Sequence, residues 1–149
     1  MWQRQQTLYL AISTILIGVM LFCAKAVTYA GDGSVAERIM FTDYLPYTIL
    51  IAVILFLNIL ALTTFKFRVF QLRTAMLVAI VTLAFQIWLG VDFYFTHSDV
   101  VFRLVALFPV AAVILDLMAY RGILADQLLV ESAYSLRKSR RERRSKSKK

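Results

Sequence analysis

Charged side chains are widely spaced through most of the chain, and between them lie four stretches dominated by apolar residues. They run from about residue 5 to 24, between Arg4 and Lys25; from 44 to 65, between Asp43 and Lys66; from 74 to 91, between Arg73 and Asp92; and from 104 to 120, between Arg103 and Arg121. A helix needs about 20 mostly apolar residues to cross about 30 Å of hydrocarbon. Each stretch therefore predicts a transmembrane helix, the fourth interrupted by Asp116 and expected to kink at Pro109. The first also has the outline of a signal peptide. Its apolar run exceeds the usual roughly 7 to 15 residues, however, and Lys25 interrupts the Ala24-x-Ala26 spacing, so an uncleaved span fits better.

The connections follow from the same pattern. Lys66 to Arg73 is short and predicts an antiparallel hairpin of the second and third spans. Between Lys25 and Asp43, Gly31-Asp32-Gly33-Ser34 predicts a turn. Val35 to Phe41 then predicts a short interfacial helix, with Ser34 and Glu37 as a capping box. Beyond Arg121, apolar residues recur at helical spacing at Ile123, Leu124, Leu128, Leu129, Ala133 and Leu136, with Asp126, Gln127, Glu131, Ser132 and Ser135 on the other face. Residues 121–136 thus predict a juxtamembrane amphipathic helix. From 137 to 149 only Arg, Lys, Ser and Glu remain, a composition that buries nothing to offset ordering entropy and predicts a disordered basic tail. The expected fold is an all-α integral membrane protein: a four-transmembrane-helix bundle over residues 1–120, a cytoplasmic amphipathic helix and the tail.

Composition supports this reading. Of the 149 residues 60% are hydrophobic, and the mean hydropathy is +0.71, which excludes a soluble enzyme with a polar surface. Cys23 is the one cysteine and His97 the one histidine, too few for an intrachain disulfide or a tetrahedral structural metal site. His97, Asp92 and Asp99 share one connection but are a sparse ligand set. No metal or cofactor is expected. The formal net charge is +8, all of it in the tail, where nine bases face one acid. Basic residues are retained on the cytoplasmic side. Fourteen of the seventeen would share the side of both termini, with only Lys25, Arg38 and Arg103 opposite, so both termini should be cytoplasmic.

The tail residues Arg137, Lys138, Arg140, Arg141, Arg143, Arg144, Lys146, Lys148 and Lys149 are expected to contact anionic membrane lipid at about 1 kcal/mol per base. Lacking aromatic residues for stacking, the tail would bind RNA only non-specifically, and nothing suggests DNA. Within the spans, Asp116 is the costliest residue, expected to reach the interface or to meet a base of the Lys66 to Arg73 connection. Asn58 and Gln86 are expected to pack between helices, offset by about 7 Å along the bundle. Trp2, Tyr9, Tyr44, Tyr47, Trp88, Phe93, Tyr94 and Tyr120 lie near span ends, as interfacial anchors do. No base beside a nucleophile, paired carboxylates in a span or glycine-rich phosphate loop is found, so no catalytic role is expected.

Both ends of the chain resemble a bacterial membrane family catalogued as domain of unknown function 4293. Its members begin with a Gln-Arg-x-Gln-Thr-x-Tyr-Leu pattern, matched by Gln3, Arg4, Gln6, Thr7, Tyr9 and Leu10. After the fourth span they carry Arg-x-Ile-x-x-Asp-x-x-x-Val-x-Ser-x-x-x-x-Arg, matched by Arg121, Ile123, Asp126, Val130, Ser132 and Arg137. Tyr120 and Leu124-Ala125 depart from the pattern, standing where asparagine and a lysine pair are expected. The resemblance implies four spans in a Gram-negative inner membrane and carries no known activity. The resulting expectation is a non-catalytic interaction or accessory subunit that contacts lipid, a membrane-protein partner or another copy of itself. The alternative is a small oligomeric transporter or channel.

Overall fold

The computed structural model describes residues 2–29, 34–64, 67–96 and 100–146. In chain order these form α1 (Trp2–Met20), β1 (Ala24–Tyr29), β2 (Val35–Met40), α2 (Leu45–Thr63), α3 (Arg68–Phe95), β3 (Val100–Phe102) and α4 (Phe108–Lys146). Single 3-10 turns at Phe41–Asp43 and Leu104–Leu107 lead into α2 and α4. The first is fixed by Asp43, whose carboxylate accepts the Met40 N–H at 2.6 Å.

Each of the four apolar stretches contributes a helix. Stretches long and apolar enough to cross a membrane lie at Leu45–Thr63, Val69–Phe95 and Leu104–Ser139, and a shorter apolar helix covers Gln5–Met20. Hydroxyls within them are satisfied locally, as when Thr14 donates to the Leu10 carbonyl at 2.7 Å and Thr82 to that of Val78 at 2.8 Å. The four helices pack as a ring in which α1 lies against α2 and α4, and α3 against α2 and α4. Leu10, Ala61 and Ala119 form one buried cluster, and Ile17, Met20, Ile51, Ile54, Phe85 and Ala112 belong to a second, larger one.

The outward faces carry Ile15, Phe22, Ile49, Phe56, Ile80, Ile87 and Ile114, each more than half exposed, whereas Ser13, Asn58 and Asp116 are fully buried. Large apolar side chains outside and polar ones inside reverse the soluble pattern and are compatible with a hydrocarbon surrounding.

Several expectations are corrected. Val35–Met40 is a strand, not a short helix. Its backbone pairs antiparallel with β1, Val27 opposite Arg38 and Thr28 opposite Glu37, and these ladder bonds outweigh the local preference of Ala, Glu and Met for helix. β3 pairs on the other edge of β1, Val27 opposite Val101, giving a sheet of order β2-β1-β3. Pro109 is the second residue of α4, where no intrahelical N–H bond is forfeited, so it marks a start instead of a kink. α1 ends at Met20, short of the expected boundary, because β1 begins at Ala24. α3 starts at Arg68, ahead of the expected boundary and close in sequence to the end of α2 at Thr63.

At the other extreme, α4 continues past Leu136 to Lys146, where a disordered tail was expected. Arg, Lys and Glu are strong helix formers, and neither glycine nor proline occurs after Gly122, so elongation from the packed part of α4 meets no breaker. From Leu128 through Ser139 every side chain is exposed, so here α4 has left the ring and projects alone.

Candidate functional site

Three places gather chemistry-bearing side chains. The first lies at the helix ends opposite the sheet, where the start of α1 packs beside the middle of α4. Gln5, Gln6, Tyr9, Met118, Arg121, Gly122 and Ala125 line a cleft of about 350 Å³. Gln6 is 6% exposed and its Nε2 has no hydrogen-bond partner among the described residues. It sits over Gly122, where a Cβ would stand 2.9 Å from its Cγ and 3.2 Å from its Nε2, so only glycine leaves this seat open. Arg121 is exposed and is in no salt bridge among the described residues. The two motifs flagged at opposite ends of the sequence therefore meet: Gln6 and Tyr9 from one, Arg121 from the other. Thr7 is exposed and Asp126 half-buried, and Ser132 is spent on its own helix, donating to the Leu129 carbonyl at 2.9 Å. The side chains of Gln3 and Arg4, and those from Arg140 onward, lie outside the described residues, while Arg137 and Lys138 are exposed.

The second place is the interior. Ser13 lies three residues after Leu10 and four before Ile17; Asn58 lies three before Ala61 and four after Ile54; Asp116 lies three before Ala119 and four after Ala112. Since each flanking set belongs to one of the two apolar clusters, the three polar side chains share one level between them. All three are 0% exposed. Ser13 interacts with Asp116, but Ser13 Oγ, both Asn58 amide atoms and both Asp116 oxygens make no hydrogen bond of ordinary geometry among the described residues. Asp116 thus neither reaches the interface nor meets a base among the described residues, as its position near Arg121 had suggested. The fourth-helix register turns it inward. Gln86 is not at this level; it lines a separate cleft of about 340 Å³ beside the sheet, with Phe93, Phe102 and Arg103.

The third place joins the sheet to the helices and was not anticipated. Lys25 of β1 donates from Nζ to Asp92 Oδ2 of α3 at 2.6 Å, with the two side chains 12% and 32% exposed. The ammonium also lies 5.1 Å from the Tyr47 ring centre and 5.4 Å from that of Phe102. Tyr47 is accordingly core, packed edge-on against Phe85 and Trp88, and not an interfacial anchor. Tyr44, Trp88, Phe93 and Tyr94 are exposed, as anchors would be. Asp92 is thus engaged by Lys25, while His97 and Asp99 lie outside the described residues. Among the described residues no three His, Cys, Asp or Glu side chains are grouped to hold a metal ion.

A helical chain with an apolar exterior, three helices of membrane-crossing length and a polar interior level has the character of a membrane protein. The chain belongs to the family described as domain of unknown function DUF4293, whose model matches residues 2–135. Comparison with curated proteins and with solved structures returns no match.

Proposed function

We propose that this protein is a non-catalytic interaction or accessory subunit of a bacterial inner membrane, crossing it four times with both termini cytoplasmic. One observation carries this reading: α4 leaves the packed helices at Leu128 and continues for roughly 28 Å at 1.5 Å per residue, exposing Leu128, Leu129, Val130, Tyr134 and Leu136. An isolated helix of this length that presents apolar side chains to water is a docking element. The bases from Arg137 onward add attraction to anionic lipid or an acidic partner.

The test has two arms. Single cysteines at Ser34 and Ser139, introduced into a Cys23→Ser background, are expected to be labelled by an impermeant maleimide from opposite sides of the membrane, Ser139 from the cytoplasm. Detergent extracts of native membranes are then compared for the full chain, a chain ending at Leu136 and one ending at Gln127. A stoichiometric partner that survives the first truncation and high salt, but not the second, supports docking through the projecting helix. If no stoichiometric partner is held by any of the three, the interaction reading fails.

A second reading, a small oligomeric transporter or channel, is favoured by the partnerless level of Ser13, Asn58 and Asp116. It requires that Asp116→Asn abolish a flux measurable in proteoliposomes.

A further inference from the structure

We propose that the cleft between α1 and α4 is a binding site for a phosphate-bearing anion, held by Arg121, the Gln6 amide and the Tyr9 hydroxyl. Four observations converge. Among the described residues the lining contains donors, a guanidinium, two amides and a phenol, and no carboxylate. Arg121, the one cation of the lining among the described residues, has no ion-pair partner among them. Gln6 is more than nine-tenths buried with its amide N–H groups unspent, although a buried donor without an acceptor costs about 1 to 3 kcal/mol. Gly122 seats Gln6 at the cleft, since a Cβ there would stand 2.9 Å from its Cγ and displace it.

A cleft of about 350 Å³ lined by an unpaired donor and a free guanidinium is complementary to phosphate oxygens, which accept from guanidinium in bidentate fashion. Its depth fits as well. Arg121 is the first charged residue after Asp116 on α4, and the cleft opens at the end of the apolar helix faces, the level at which a lipid headgroup would sit. The phosphate thus has two sources, a phospholipid headgroup or a soluble phosphate ester. Only the first rests on the membrane placement above, which cysteine labelling tests separately.

The purified full chain in detergent micelles is titrated with dioleoyl phosphatidylglycerol and, in a second series, with glycerol 3-phosphate, and read by native mass spectrometry. The variants are Arg121→Gln, Gly122→Ala and the chain ending at Leu136. One phosphatidylglycerol per chain, bound at least tenfold more weakly by both point variants and unchanged by loss of the tail, supports the site with lipid as source. The same pattern with glycerol 3-phosphate supports it with a soluble source. Binding that both point variants retain, binding that disappears only with the tail, or no binding of either probe overturns the proposal. Because Gly122→Ala disturbs packing, its thermal transition is followed by circular dichroism; Arg121→Gln alters an exposed, unpaired side chain and decides the matter should Gly122→Ala fail to fold.

Discussion

Asp92→Asn is expected to lower stability by about 3 kcal/mol, and Lys25→Met by only about 1 kcal/mol, although both break the same ion pair. The asymmetry follows from burial. Lys25 is 12% exposed, so removing the carboxylate strands an ammonium that water barely reaches. Breaking a buried pair from one side costs about 3 to 5 kcal/mol, and the lower end applies because Asp92 is the wetter partner. The Tyr47 and Phe102 rings recover part of the loss, since a desolvated cation over an aromatic face is worth up to about 2 kcal/mol. With methionine at position 25, by contrast, the space between the rings stays filled and Asp92, 32% exposed, takes up water. For a chain of this size 1 kcal/mol moves Tm by about 2 to 4 °C, so Asp92→Asn should melt roughly 6 to 12 °C lower in detergent. A cycle completed with the double variant should show clear coupling. Additive losses, or a larger loss for Lys25→Met, would refute the assignment of this pair as the tie between sheet and helices.

The opposite sign is expected inside. Asp116→Asn should raise stability by about 2 kcal/mol, because it keeps the shape of the side chain while removing an ionisable carboxyl group that is fully buried with no cation paired to it among the described residues. Most substitutions at fully buried positions destabilise, so a gain here is diagnostic. Ser13→Ala should be close to neutral, since Ser13 Oγ is itself without a partner. A drop in Tm for Asp116→Asn would show that the carboxyl group is bonded in the folded protein and would remove the basis for treating this level as unsatisfied. Were the gain accompanied by loss of a flux, the level would be a site retained at the expense of stability, as polar residues within spans commonly are.

The parts of this fold that local pattern determines were readable in advance. Four apolar stretches between charges predict the four helices, and a short connection predicts the α2–α3 hairpin, because hydrophobic runs and loop length are properties of neighbouring residues. The sheet is different. β1 follows α1 almost directly, and Val35–Met40 has the residues and the Ser34 to Glu37 spacing of a helix start; its strand exists through partners on β1, and β1 in turn pairs with residues near position 101. Pairing at that separation overrides local preference and leaves little trace in it. The same holds for the polar residues. Asp116 was conspicuous, but only the register between helices brings Ser13 and Asn58 to its level. Gln6, Tyr9 and Arg121 were flagged at opposite ends of the chain, and only packing of α1 on α4 makes them one cleft. Gly122 carried no signal, since its role is to accommodate a side chain 116 positions earlier, that of Gln6.

That α1 closes against α4 sets a rule for the order of assembly. A chain is made from its amino end, so α1 waits for α4 to be synthesised before its principal partner exists. Until then the faces bearing Gln6 and Ser13 are covered by α2 at most. β3 arrives immediately ahead of α4 and registers on β1, which follows α1, so the sheet is laid down at the moment when α1 and α4 must find each other. The small sheet is in this sense an alignment key: it brings the segment after α1 beside the segment before α4 and completes the ring only once α4 has been made.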